Sequence, residues 1–172
     1  MWAVKRLLSH KGTSMANTQS MTTSFLGEVL TATHNFGTAP VRAATTADTF
    51  KAALYLTSAT INASTTAYSA TGEVSGTGYS AGGVTVTNAT APTATNSSAT
   101  AGTAYWTPSA SITYTTVTLA TAFDAVLIYN STQSNKAVSV HTFGSQTITA
   151  GTFTLTMPSN TTSTALLRLA TT

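Results

Sequence analysis

The chain has no cysteine, which removes disulfide frameworks, thiolate metal sites and thiol nucleophiles together. Stability has to come from packing and from partners. Charge is almost as scarce: Asp, Glu, Lys and Arg make up 6% of the 172 residues, against roughly a quarter in ordinary soluble domains. No apolar run reaches the about 18 residues that a membrane-spanning helix needs, and the opening segment carries charges without the apolar core of a secretory signal. The four carboxylates Glu28, Asp48, Glu73 and Asp124 are far apart in sequence, so a glycosidase pair would depend on two of them converging. His10, His34 and His141 are equally scattered, with no H-E-x-x-H and no i, i+4 pair to begin a zinc site. No fixed-period repeat is present, which argues against a solenoid.

What covers the surface in place of charge is threonine, with serine, asparagine and alanine behind it. Threonine is β-branched, loses χ1 freedom in a helix and packs well on a pleated sheet with its hydroxyl toward water. The composition therefore predicts strands with a hydroxyl-bearing outer face. Such a surface lacks the charge that keeps monomers apart, so a homo-oligomer or a lattice-bound protein is expected.

The net charge of +3 and pI near 9.4 resemble a nucleic-acid signal, but the charge is not spread. Lys5, Arg6 and Lys11 lie at the N-terminus, whereas Arg42, Lys51, Lys136 and Arg168 are balanced by the four carboxylates. A nucleic-acid surface needs clustered cations that release counterions, so none is expected on this neutral body. Residues 1–20 read either as a partner-contact arm carrying Trp2, Lys5 and Arg6, or as the product of a start assigned too early, since Met15 and Met21 are both available. Residues 21–172 read as one domain, a size that supports a single core.

One helix is predicted over residues 22–36, from Phe25, Leu26, Val29 and Leu30 at three-to-four spacing, with Thr22 or Thr23 as a cap and Gly37 and Pro40 as the stop. An extended segment is predicted from 41 to 48. From residue 49 the period becomes two: Phe50, Ala52, Leu54 and Leu56 alternate with Lys51, Ala53, Tyr55 and Thr57, the pattern of a half-buried strand. Further strands are predicted at 72–75, 83–90, 104–107, 112–119, 125–130, 137–143, 146–148, 151–157 and 165–169, with a surface loop at 88–102. Many short strands separated by turn residues predict an all-β fold, an antiparallel β-sandwich of jelly-roll-like type. Phe50, Leu54, Leu127 and Phe153 are expected on inward faces.

The run Gly78, Tyr79, Ser80, Ala81, Gly82 fits the G-x-S-x-G nucleophile elbow, and Asp124 and His141 follow in hydrolase order. An elbow needs an apolar strand before the serine and a helix after it, whereas residues 84–90 alternate like a strand. The segment therefore reads as a turn or bulge, and no catalytic, cofactor-binding or metal-ligating residue is assigned. Asn62, Asn88, Asn96, Asn130 and Asn160 head N-x-S/T sequons, which a chain so rich in Ser and Thr produces by accident. Tyr105, Trp106, Tyr114 and Tyr129 read as sheet packing, with stacking on sugars as the alternative.

Four pieces in a fixed order carry a resemblance: LGEVLTATHNF (26–36), DTFKAALY (48–55), EVSGTGYSAGGVTVTNAT (73–90) and FDAVLIYNSTQSNKAVSVHTFGSQTITAGTFTLTMP (123–158). Together they resemble a group of small structural proteins of tailed-bacteriophage and prophage virions, usually encoded among head and tail genes. The likeness spans residues 22–170 and leaves the first twenty outside. It implies a non-enzymatic virion protein, made in the host bacterial cytoplasm, that contacts the major capsid protein or other virion proteins. The leading role is capsid cement or decoration. A neck, adaptor or tail component is the alternative, and a carbohydrate- or receptor-binding module is the alternative of another class. The resemblance brings no active site and no cofactor.

Overall fold

The computed structural model describes residues 17–30, 33–34, 36, 47–89, 91–95 and 102–170. Among them the chain is all-β, with antiparallel sheets and one short helix: β1 (Ser20–Met21), α1 (Thr23–Leu30), β2 (Phe50–Leu56), β3 (Val84–Thr85), β4 (Thr93–Ala94), β5 (Thr103–Trp106), β6 (Ile112–Asn130), β7 (Lys136–Leu155) and β8 (Leu167–Ala170). Five strands form one sheet in the order β1-β7-β6-β2-β3, and three form another in the order β4-β5-β8.

The centre of the larger sheet is β2 against β6, running in register from Phe50 opposite Asn130 to Tyr55 opposite Ala125. The expectation of a half-buried β2 is corrected here, because both of its faces are covered. Phe50, Ala52 and Leu54 join Val126, Ile128, Val138, Trp106 and Tyr114 in the main core. On the opposite face Ala53 and Tyr55 join Leu127, Tyr129, Ala137 and Val140 under Ile61 and Tyr68. The segment after β2 folds back over that second face, with the Tyr55 hydroxyl donating to the Ser69 carbonyl and the Leu56 amide to the Gly72 carbonyl. Completely burying such Leu and Phe side chains contributes about 1.5–3 kcal/mol each. Phe50, Leu54 and Leu127 are fully buried, and Phe153 is half-buried on the rim of the core.

The largest difference from the sequence reading is the β6–β7 hairpin. Five short strands were expected from 112 to 157; the chain forms two long ones joined by a turn at 131–135. The breaks expected at 120–124, 144–145 and 149–150 are register shifts within one ladder, and a further bulge lies inside the expected strand 112–119. Thr115 and Thr116 lie between partnered Tyr114 and Val117, while only Thr152 separates their partners Phe153 and Gly151. Thr116 and Ala150 adopt positive φ, 53° and 46°. Each extra residue bends the ribbon and raises its twist, so its far half folds toward the core: the Tyr114 hydroxyl donates to the Ala52 carbonyl at 2.8 Å.

Helix α1 covers Thr23–Leu30, and the described residues 33, 34 and 36 are not helical, so the helix does not reach residue 36. Thr22 does not serve chiefly as its cap. Its hydroxyl donates toward the Ala137 and Val138 carbonyls (3.2 and 3.3 Å), and its amide donates to Val138, pinning the start of the helix to β7. Beyond the helix His34 and Phe36 turn inward, Phe36 stacking on Phe50 at 4.4 Å and meeting Trp106 at 4.8 Å. The body also includes residues ahead of 21. The Asn17 amide group donates to the Leu56 carbonyl (3.1 Å) and to Asp124 (2.6 Å), and its oxygen accepts the Ile61 amide (3.1 Å). The extended segment expected at 41–48 lies outside the described residues except for its last two. The loop at 88–102 contains β4 where it is described.

Candidate functional site

The nucleophile-elbow residues are placed by backbone packing. Ser80 is exposed and opens a turn closed by the Gly83 amide donating to its carbonyl at 2.9 Å; β3 follows, with no helix. Gly78 sits at φ +78° against β6, where an added Cβ would overlap the Thr116 carbonyl oxygen. Its neighbour Thr77 bridges Thr118. The glycines thus let this segment lie along the edge of β6. Asp124 is engaged by Asn17, and His141 by Ser139.

Three polar clusters remain. The first anchors this same segment: Glu73 accepts from the Tyr68 hydroxyl (2.6 Å), the Tyr79 hydroxyl (2.7 Å) and the Gly82 amide (2.7 Å), while Tyr79 also accepts the Leu54 amide. Burial, then the bond to Glu73, raises the Tyr79 hydroxyl well above its ordinary pKa. Such phenols stay protonated and act as donors in a structural clamp.

The second cluster roots α1 on the hairpin. Lys136 reaches Glu28 at 2.5 Å, Glu28 meets His34 Nε2 at 2.7 Å, and the Asn130 amide group donates to His34 Nδ1 (3.0 Å) and to Asp48 (2.8 Å). The Asn130 oxygen accepts the Thr132 and Gln133 amides, both at 3.1 Å. Burial lowers the His34 pKa and outweighs the opposing bond and charge of Glu28. A neutral ring with its proton on Nε2 satisfies both neighbours. Burial alone raises the Glu28 carboxyl, but hydrogen bonds and charge from Lys136 and His34 bring it below its ordinary value. Every polar atom of Asn130 is used and the residue is completely buried, so this hub is structural and its sequon is out of reach in the folded chain.

The third cluster is a pair that sequence reading missed. Ser139 Oγ lies 2.9 Å from His141 Nε2, two residues apart on one face of β7 as strand alternation dictates. The pair borders a cavity of about 480 Å³ shared with Ser20, Met21, Thr103 and Arg168. Burial lowers the His141 pKa to about 4, which makes the ring a poor base at neutral pH. Among the described residues no carboxylate orients it, so the orienting third group of an activated serine is missing. Among the described residues no three His, Asp or Glu side chains converge on a metal position.

Of the aromatic residues weighed for sugar stacking, Trp106, Tyr114 and Tyr129 are each 2% exposed, and Tyr105 is half-buried. The arm residues Trp2, Lys5 and Arg6 lie outside the described residues.

The remaining candidate is the outer edge of β7. Its beginning is covered: the Ala137 amide donates to Thr66, and Ser139 and Val140 pair with Met21 and Ser20. Beyond Val140, among the described residues, only β6 pairs with it. Residues 144–147, 149, 150, 152 and 154 are exposed, and no Lys, Arg, Asp, Glu or Pro occurs between 137 and 157. These are the residue types that ordinarily protect an open edge. The edge was missed because the sequence was divided there into three short strands; the signal available was the long uncharged alternation of threonine with apolar residues.

Comparison with models of protein families, with curated proteins and with solved structures gives no match in any of the three.

Proposed function

We propose that this chain is a non-enzymatic structural protein that works by joining a larger assembly, and that the assembly is a tailed-phage particle in which it acts as a capsid cement or decoration protein bound to the major capsid protein. The observation that carries the assembly reading is the open, uncharged, hydroxyl-rich edge of β7. Burying hydroxyls and small apolar groups against a partner costs less desolvation than burying Lys or Glu. Many weak contacts on a lattice hold together because neighbours raise the effective concentration. The virion setting rests on the resemblance of the four ordered sequence pieces. The carbohydrate- or receptor-binding alternative gains nothing from the aromatic residues, three of which are buried in the core.

Removal of the gene tests this reading. Particles lacking the protein are expected to assemble poorly or to burst more readily under heat or osmotic shock. Particles unchanged in assembly, stability and infectivity overturn the structural role. Copy number in intact particles separates the positions: a count that follows the capsid subunits supports cement, whereas a count set by the portal ring assigns the protein to the neck.

A further inference from the structure

We infer that β7 pairs with β7 of a second copy of this chain, edge to edge and antiparallel about a two-fold axis, so that the two larger sheets become one. The open backbone itself specifies an extended strand as its occupant: among the described residues, from His141 to Leu155 the ladder to β6 uses one edge of β7 and no second strand pairs with the other, where the Gly144 carbonyl accepts the Gln146 side-chain amide at 3.0 Å. A row of free N–H and C=O groups recruits a strand.

Three observations favour an identical copy. First, between His141 and Arg168 the sequence has no charged residue, so two copies meet without like-charge repulsion and put hydroxyls opposite hydroxyls, a favourable cross-strand pairing. Second, the strand is bent by its register shifts against β6 and by the positive φ of Ala150. A flat foreign strand can follow a bulged edge only briefly, whereas a copy related by a two-fold axis normal to the sheet brings the same bend. Third, Phe143, Ile148, Phe153 and Leu155 already pack their side chains onto the core. The edge is therefore held extended before pairing, which lowers the ordering cost of association. A two-fold interface of this kind is closed and self-complementary.

The inference deepens the assembly reading by naming a partner, but it concerns the isolated chain and is tested without particles. The absence of cysteine gives a clean background for cross-linking. Single substitutions Ser145→Cys, Thr147→Cys, Thr149→Cys, Thr152→Cys and Thr154→Cys, with exposed Ser80→Cys as control, are to be oxidised at equal concentration. In antiparallel self-pairing only positions beside the axis bring their Cα atoms within disulfide range. One maximum of dimer along the series is expected, falling to the control level within a few residues on either side. Light scattering of the unmodified protein should show a dimer, and amide exchange along 142–155 should slow as concentration rises. At the position of the cross-linking maximum, where each residue faces its own copy, a Lys variant and a Glu variant should each dissociate alone and recover the dimer on mixing. A monomer at every concentration overturns the inference, as does a dimer whose 142–155 amides exchange freely or a cross-linking yield equal to that of Ser80→Cys. Protection of this edge in particles but not in the concentrated pure protein also overturns it, because the occupant is then another protein.

Discussion

At the scale of single residues, the glycines separate into those that backbone contact requires and those it does not. Gly78 combines a left-handed conformation with a β6 carbonyl where a Cβ would lie, whereas Gly144, in β7, has nothing within 4 Å of that position. Left-handed φ costs a non-glycine residue about 1–2 kcal/mol, and the Thr116 carbonyl cannot move without disturbing β6. Gly78→Ala is therefore expected to destabilise by at least about 2 kcal/mol, while Gly144→Ala is neutral or stabilises by up to about 1 kcal/mol through the unfolded chain. Urea denaturation of the two variants side by side checks this; equal midpoints would mean that the 76–78 segment does not lie against β6. The same contrast shows how a motif can mislead. The spacing of Gly78, Ser80 and Gly82 fits an elbow, yet Gly78 is explained by a strand edge that only the fold brings near.

At the scale of elements, the two networks around His34 and His141 link α1 and β7 to the core, and both histidines have folded pKa values below the ordinary 6.5. The unfolded chain then takes up protons first as pH falls. Their contribution is complete above about pH 6.5 and is lost below it, for His141 down to its folded value of about 4; the slope is at most about 1.4 kcal/mol per pH unit for each proton. Glu28, lowered from 4.5, holds its contribution until the pH falls below that value. The unfolding free energy is therefore expected to decline from pH 6.5 toward 4.5, and the double variant His34→Gln/His141→Gln to flatten that decline. An unaltered slope in the double variant would refute the assignment. Much of the element level was legible. The period-two pattern located β2, β5 and both hairpin strands, and the all-β class with them. What was not legible follows from bulges: an extra residue flips the faces of everything after it, so alternation restarts between Leu119 and Phe123 in β6 and around 143–145 and 149–150 in β7, and one strand reads as several. The second buried face of β2 was hidden because alanine at 53 fits a core as well as a surface. His34 pointed to no site because its partner Asn130 comes from the far end of β6.

At the scale of the whole molecule, the question is where the folded body begins relative to the arm. Asn17 makes three hydrogen bonds to segments far along the chain, and β1 covers part of the β7 edge. Translation from Met15 retains these contacts and translation from Met21 removes Asn17 and half of β1. Loss of Asn17 leaves the Ile61 amide and the Asp124 carboxylate without this partner, at about 1–3 kcal/mol for each group left buried and unsatisfied. A chain beginning at Met21 is expected to be less stable than one beginning at Met15 by roughly 2–4 kcal/mol, read from urea denaturation with m-values compared. Equal stability of the two would show that residues 17–20 contribute nothing to the fold. The same forms separate stability from contact. A Met15 chain that folds as well as the full one but no longer joins particles would place the partner contact in the arm carrying Trp2, Lys5 and Arg6. Full incorporation of that chain would leave the arm without a role in assembly and put the contact on the body.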